Sequence, residues 1–243
     1  MRYAILSDIH SNLEAFQAVL RDLGAANIQK IAILGDIVGY GANPQECIEL
    51  AQEKAELIVA GNHDWAVAGR TDPSNFNSLA FRAVEWTISH LGTDYQKFLS
   101  ELPLKIEEDD FLLVHASPLN SEDWHYIFSR QEAIKNLNVL KQRVCFVGHS
   151  HIPAIYYLNE FGDIFFSRIF AEVSLNKKNR FLINVGSVGQ PRDHIPLASY
   201  GIFDSRTFNF CLRRISYPIE IAQKKIIAAG LPVELAERLA EGW

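Results

Sequence analysis

Five short apolar runs in this chain each end in residues that bind metals or carry protons. Ala4-Ile5-Leu6-Ser7 leads into Asp8-Ile9-His10, and residues 31–34 lead into Gly35-Asp36. Residues 58–60 lead into Gly61-Asn62-His63-Asp64, residues 111–114 into His115, and residues 145–147 into Gly148-His149-Ser150-His151. Each run has the length of a buried strand. In open α/β sheets, ligands bind in the crevice beyond the carboxyl ends of the strands. As neighbouring strands, these runs would line Asp8, His10, Asp36, Asn62, His63, His115, His149 and His151 along one rim. Asp8 and His10 are two residues apart, as are His149 and His151, so extended backbone would aim each pair at one point. Gly35, Gly61 and Gly148 precede three of the clusters, where the chain must turn sharply or approach a bound group closely.

The remaining pattern places these runs in an α/β chain. Strands are expected at residues 3–7, 31–34, 58–60, 111–114 and 144–147. Leu13, Phe16, Val19, Leu20 and Leu23 recur at helical spacing, with Gly24 closing that helix. A second helix begins near Pro44, a long loop follows residue 60, and a third helix covers residues 79–91. After about residue 152, β-like segments dominate, at 154–158, 164–170, 181–185, 199–203 and 208–215. Helices at 219–229 and 233–240 finish the chain. The acidic run 107–110 and the basic stretch 176–180 read as solvated turns. Neither has a linker's composition, so one domain over residues 1–243 is expected.

Composition removes several classes of function. With 48% apolar and 21% charged residues, the chain has ample material for a core and is not disordered. No apolar run approaches the roughly 18 residues of a membrane span, and the first residues carry no signal-peptide pattern. Cys47, Cys145 and Cys211 are odd in number, far apart and in no C-x-x-C pair, which fits reduced thiols in a cytoplasmic protein. A net charge of −6 argues against broad nucleic-acid binding.

Histidine, carboxylate and amide oxygen without thiolate suit Zn, Mn, Fe, Ni or Mg. Seven such groups are too many for one tetrahedral ion. They suit two ions roughly 3.5–4 Å apart that share a carboxylate.

These five motifs, in this order, resemble the calcineurin-like metallophosphoesterase superfamily. The segment Ile183-Asn184-Val185-Gly186-Ser187-Val188-Gly189-Gln190-Pro191-Arg192-Asp193 resembles its small bacterial phosphodiesterase and diadenosine-tetraphosphatase-like branch. The resemblance implies an α/β fold of two packed mixed β-sheets flanked by helices. It implies two divalent metal ions, with manganese favoured. Asp8, His10, Asp36 and His151 would hold the first, and Asp36 (bridging), Asn62, His115 and His149 the second. The implied reaction is hydrolysis of a phosphodiester or nucleotide-type phosphoester by a hydroxide held between the metals, with His63 protonating the leaving oxygen. A phosphomonoesterase, a phosphoprotein phosphatase and a non-catalytic metal-binding scaffold are the alternatives.

One departure bears on the substrate. The phosphoprotein phosphatases carry Gly-Asp-x-Val-Asp-Arg-Gly at the second motif, whereas this chain reads Gly35-Asp36-Ile37-Val38-Gly39-Tyr40-Gly41. The acid that orients the catalytic histidine is Gly39 here, and the phosphate-gripping arginine is Tyr40. Arg192, with its planar fork, is the expected substitute for that arginine, or else part of a surface turn. Tyr40 and His125 are expected beside the substrate. Trp124, His125 and Tyr126 would either line a base or leaving-group pocket or form a packing cluster. Asn12 either contacts the substrate or caps the helix that follows it. The expected partner is a small phosphorylated molecule. No membrane is expected, and association of subunits is left open by the apolar positions of the last two helices. Two divalent cations would bring the chain to about −2 and outweigh Asp8 and Asp36 locally, so an acidic protein can still attract phosphate.

Overall fold

The computed structural model describes residues 1–168 and 172–243. Its first half runs β1 (Arg2–Leu6), α1 (Leu13–Leu23), β2 (Lys30–Ile33), α2 (Pro44–Lys54), β3 (Leu57–Ile58), α3 (Asn62–Val67), α4 (Ser78–His90), α5 (Thr93–Glu101), β4 (Lys105–Glu107) and β5 (Phe111–Val114). The second half runs α6 (Arg130–Asn138), β6 (Val144–Val147), β7 (Ala154–Leu158), β8 (Ile164–Ser167), β9 (Glu172–Ser174), β10 (Arg180–Asn184), β11 (Ala198–Asp204), β12 (Asn209–Ile215), α7 (Ile219–Ala228) and α8 (Val233–Glu241). No helix among the described residues is long and apolar enough to cross a membrane.

The strands form two six-stranded mixed sheets, ordered β3-β2-β1-β11-β12-β9 and β4-β5-β6-β10-β7-β8. Strands β1, β2 and β3 run parallel, and so do β5, β6 and β10. Parallel neighbours deliver their carboxyl ends to one edge of a sheet, which is why the five motifs meet. They do so from two sheets and not along a single row of strands.

Side-chain alternation welds the layers. Tyr3 and Ile5 of β1 face the core between the sheets, while Ala4 and Leu6 face the helices, including α1. Val144 and Phe146 of β6 enter the inter-sheet core, and Cys145 and Val147 pack with α6. Both faces of these central strands are covered, which explains why they read as continuous apolar runs. Aromatic rings fill the middle: Phe146 lies 5.3 Å from Phe203 and 5.8 Å from both Phe111 and Phe210, ring centre to ring centre.

Several expectations need correction. The long loop expected after residue 60 holds α3, which starts at Asn62. Helices α5 and α6 and the three-residue edge strand β9 were not expected from the pattern, whereas the acidic run 107–110, read as a turn between two short strands, does join β4 to β5. In α5, Tyr95, Phe98 and Leu99 recur at helical spacing and continue to Leu102, a local signal for the helix even though only Leu99 within it is fully buried. Residues 169 and 170, expected in the strand 164–170, lie outside the described residues.

Phe146 is fully buried among three other phenylalanines. Phe146→Ala is expected to cost about 3–5 kcal/mol in urea unfolding, because the rigid rings around it cannot collapse into the cavity.

Candidate functional site

The loops leaving β1, β2 and β6 hold residues in left-handed backbone. Asp8, His10, Ser11, Asp36, Tyr40, His149 and His151 all have positive φ, between 49° and 65°. Non-glycine residues rarely adopt this conformation, and it persists only where the surroundings enforce it. The pairs Asp8/His10 and His149/His151 therefore converge through tight left-handed turns, and the extended-backbone reading of their spacing was wrong.

Hydrogen bonds between the loops impose the turns. Asp8, His10 and Ser11 donate their backbone N–H groups to the carbonyls of Gly35, Asp36 and Ile37 at 3.1, 2.9 and 2.9 Å. Gly189 N donates to Asp8 O at 2.9 Å, and His149 N donates to Asp8 Oδ2 at 3.0 Å. Gly148 must be glycine, since a Cβ there would collide with the side chains of Ser7 and Asp8.

Three histidines are held in one tautomer by backbone carbonyls. His10 Nδ1 donates to Val38 O at 3.0 Å, His115 Nδ1 to Leu34 O at 2.7 Å, and His151 Nδ1 to Gln190 O at 2.5 Å. In the neutral ring, the form that can bind a metal, a proton on Nδ1 leaves a lone pair on Nε2. His10 Nε2 and His151 Nε2 nevertheless face each other at 3.1 Å, and His115 Nε2 faces His149 Nδ1 at 3.2 Å. Asp36 Oδ2 stands between the groups, 3.6 Å from His10 Nε2 and 3.4 Å from His115 Nε2. Asp8 Oδ1 and Asn62 Oδ1 are buried acceptors without a hydrogen bond.

Converging acceptors of this kind need a cation between them. Ligand atoms of Asp8, His10 and His151 lie within 4.8 Å of one another, as do those of Asp36, His115 and His149. His10, Asp36 and His63 satisfy the same criterion, so His63 also stands at ligand distance. Burial and the neighbouring charges set the protonation of the metal-free groups. Burial, with His115 beside it, pushes His149 down to about 3. Burial alone would lower His115, but the carboxylates of Asp36 and Asp8 raise it to about 9. Burial works against ionisation of Asp36 too, yet His115 and His63 hold it well below the usual carboxylate range.

The remaining expected residues divide. His63 is buried, its backbone N–H donating to Asp36 Oδ1 at 2.9 Å, and burial pushes its pKa down to about 4. A Cβ on Gly39 would lie 2.5 Å from His63 Nδ1, so the place of the orienting acid is closed, and that nitrogen has no hydrogen-bond partner. Asp64 does not orient it. Its carboxylate accepts from the N–H groups of Gly61, Ile37 and Val38 at 3.0, 2.9 and 3.2 Å, bracing the loop that carries Asp36. Tyr40 packs its ring 4.6 Å from the rings of both His10 and His63, and the Arg192 guanidinium lies over Tyr40 at 5.6 Å.

Asn12 is a helix cap: its Oδ1 accepts from Ala15 N at 3.1 Å and its Nδ2 donates to Gly189 O at 2.8 Å. His125 is largely exposed and turned toward Asp123 at 3.4 Å. Its neighbour Tyr126 is the residue that reaches the site, stacked on His149 at 4.0 Å, with Phe128 stacked on it in turn at 5.2 Å. Trp124 packs edge-on against His115 and Trp65.

The Calcineurin-like phosphoesterase superfamily domain matches residues 1–207. The chain belongs to the calcineurin-like phosphoesterase superfamily. It is 43% identical over 244 residues to an uncharacterized protein of Methanocaldococcus jannaschii, covering 98% of this chain and 97% of that one. A metallophosphoesterase from Sphaerobacter thermophilus, 38% identical, superposes with a TM-score of 0.87 over 100% of this chain and 99% of its own. A hypothetical protein from Pyrococcus horikoshii, 20% identical, shares the fold with a TM-score of 0.80 over 100% of this chain and 98% of its own. Calcineurin-like membership supports a phosphoester hydrolase. The family binds divalent metals, and the clustered His and Asp residues here fit them.

Asp64→Ala would leave the three buried N–H groups of Gly61, Ile37 and Val38 without their acceptor. Urea unfolding is expected to show a loss of at least about 3 kcal/mol. Manganese binding measured on the folded fraction is expected to weaken as the Asp36 loop loosens.

Proposed function

We propose that this chain is a dinuclear metal-dependent phosphoesterase acting on a small phosphodiester or nucleotide-type phosphoester. The observation that carries this reading is the pair of carbonyl-locked imidazole lone pairs, His10 Nε2 and His151 Nε2, facing each other with Asp36 Oδ2 between the two clusters. Asp8, His10, Asp36 and His151 would hold one divalent cation, and Asp36, Asn62, His115 and His149 the other. When bound, such cations polarise phosphoryl oxygens and acidify water for attack. The oxygen and nitrogen donor set accommodates Mn, Fe, Ni, Zn or Mg, and manganese is the metal favoured here.

The chain's own residues supply the rest. His63 delivers a proton to the leaving oxygen, its ring walled by Tyr40, His10 and Phe76 at 4.6, 4.9 and 5.0 Å in place of an orienting carboxylate. Arg192 binds the substrate's phosphoryl oxygens from its place over Tyr40. Tyr126 and Phe128, partly exposed beside His149, offer an aromatic face to a base or aromatic leaving group. With Gly39 and Tyr40 where phosphoprotein phosphatases carry acid and arginine, the geometry favours a small diester over a phosphoprotein.

Metal content and hydrolysis of bis(4-nitrophenyl) phosphate with manganese test the reading together. Asp36→Ala is expected to lose both metal and activity. His63→Ala is expected to keep its metal and lose about 10²–10⁴-fold in rate, most on poor leaving groups. Wild-type activity in Asp36→Ala would overturn the proposal.

A further inference from the structure

Residues 187–194 form a strap beside the first metal cluster. Ser187 Oγ donates to Asp8 O at 2.8 Å, and Gly189 N donates to the same carbonyl at 2.9 Å. At the other end, His194 N donates to Gly242 O at 2.8 Å, and the His194 ring stacks on Trp243 at 5.0 Å. The strap is therefore tied both to the loop after β1 and to the end of α8.

Gln190 lies in the middle of the strap and is only 1% exposed. Its contacts close a circuit. His151 Nδ1 donates to Gln190 O at 2.5 Å, and Arg192 N donates to His151 O at 3.3 Å. The Arg192 guanidinium then returns to Gln190 Oε1, with Nε at 3.2 Å and Nη2 at 2.7 Å. A guanidinium carries donors only, so the amide atom that faces it is the oxygen. One edge of the fork is thus held inside the protein. Nη1 donates to nothing among the described residues, which leaves the other edge for a ligand.

The grip on Arg192 does not cancel its charge. Asp193, the adjacent carboxylate, pairs with Arg214, and among the described residues Arg192 has no ion-pair partner. A carboxylate at position 190 would hold the same two N–H groups more strongly, but it would offset the positive charge that an anion needs. A neutral amide fixes the direction of the guanidinium and leaves its charge to attract phosphate.

We propose that Gln190 is a positioning residue that ties the Arg192 guanidinium to the metal ligand His151 and, being neutral, keeps that cation available to a phosphoryl group. The proposal rests on the reading of Arg192 as a phosphoryl ligand given above.

Orthophosphate titrated calorimetrically into the manganese-loaded protein tests it without turnover. Gln190→Met keeps the side-chain length and removes the acceptor. It is expected to weaken orthophosphate about 10-fold, with manganese content unchanged, since a backbone carbonyl holds His151. Gln190→Glu is expected to weaken it at least as much, because the new carboxylate pairs with Arg192. Gln190→Met placed in Arg192→Ala is expected to add no further loss, because both changes remove one arrangement. Wild-type affinity in either Gln190 variant, manganese loss in Gln190→Met, or a Gln190→Met loss that persists in Arg192→Ala would each overturn the proposal. Nitrogen-15 NMR of the wild-type chain gives an independent answer should the Gln190 variants fail to fold. The Arg192 Nε–H proton, assigned through Arg192→Ala, is expected to exchange with water more slowly than that of the exposed Arg206. Equal exchange would overturn the proposal. A chain that shows this phosphate binding but hydrolyses no phosphodiester would count against the functional reading alone.

Discussion

Lone pairs held face to face are the constraint on which this structure depends. The carbonyls of Val38, Leu34 and Gln190 each take the Nδ1 proton of a histidine and so turn its other nitrogen toward the same small volume. Asp8 and Asp36 add carboxylate oxygens to that volume, all of it buried. Nothing in an apolar core balances such a convergence of acceptors. The energy to hold it must come from elsewhere in the fold and from a cation between the groups.

Much of that support lies in the loops. Residues with the side chains needed at the rim adopt left-handed backbone, at a cost of about 1–3 kcal/mol each. Ladders of hydrogen bonds between loops from different strands offset that cost, and Asp64 ties three N–H groups into one buried carboxylate. Behind the loops, the phenylalanine-filled layer between the sheets keeps the strand ends in register. Rigid elements thus place the functional groups, and short strained turns aim them.

The legible part of the sequence was the part with a local cause. Apolar runs of strand length marked β5, β6 and β7 to the residue, because burial on both faces leaves no room for polar positions. The amphipathic stripe from Leu13 to Leu23 marked α1 equally well. The capping box at Ser129 and Glu132 was also a local signal, and it would have found α6. Residues whose roles depend on distant partners were read less well. Asn12 serves as a cap tied to Gly189, and Tyr126 stacks on His149 while His125 turns outward. These outcomes depend on which loop lies opposite, and residue type does not carry that information.

By itself, the sequence determined the chemistry: which side chains end the strands, how many can bind a cation, and that no thiolate is among them. It also determined the strand–helix alternation, since hydrophobic period is a local property of the chain. The family resemblance of its motifs implied two packed mixed sheets, and the tertiary structure shows which strand ends each sheet brings to the site. It alone decided that left-handed turns converge the paired ligands, that Gly39 closes against His63, and that Leu235 and Leu239 of α8 line the cleft beside His10. Each of these is a contact between segments far apart in the chain, set by packing and by hydrogen bonds that form only once both sheets are in place.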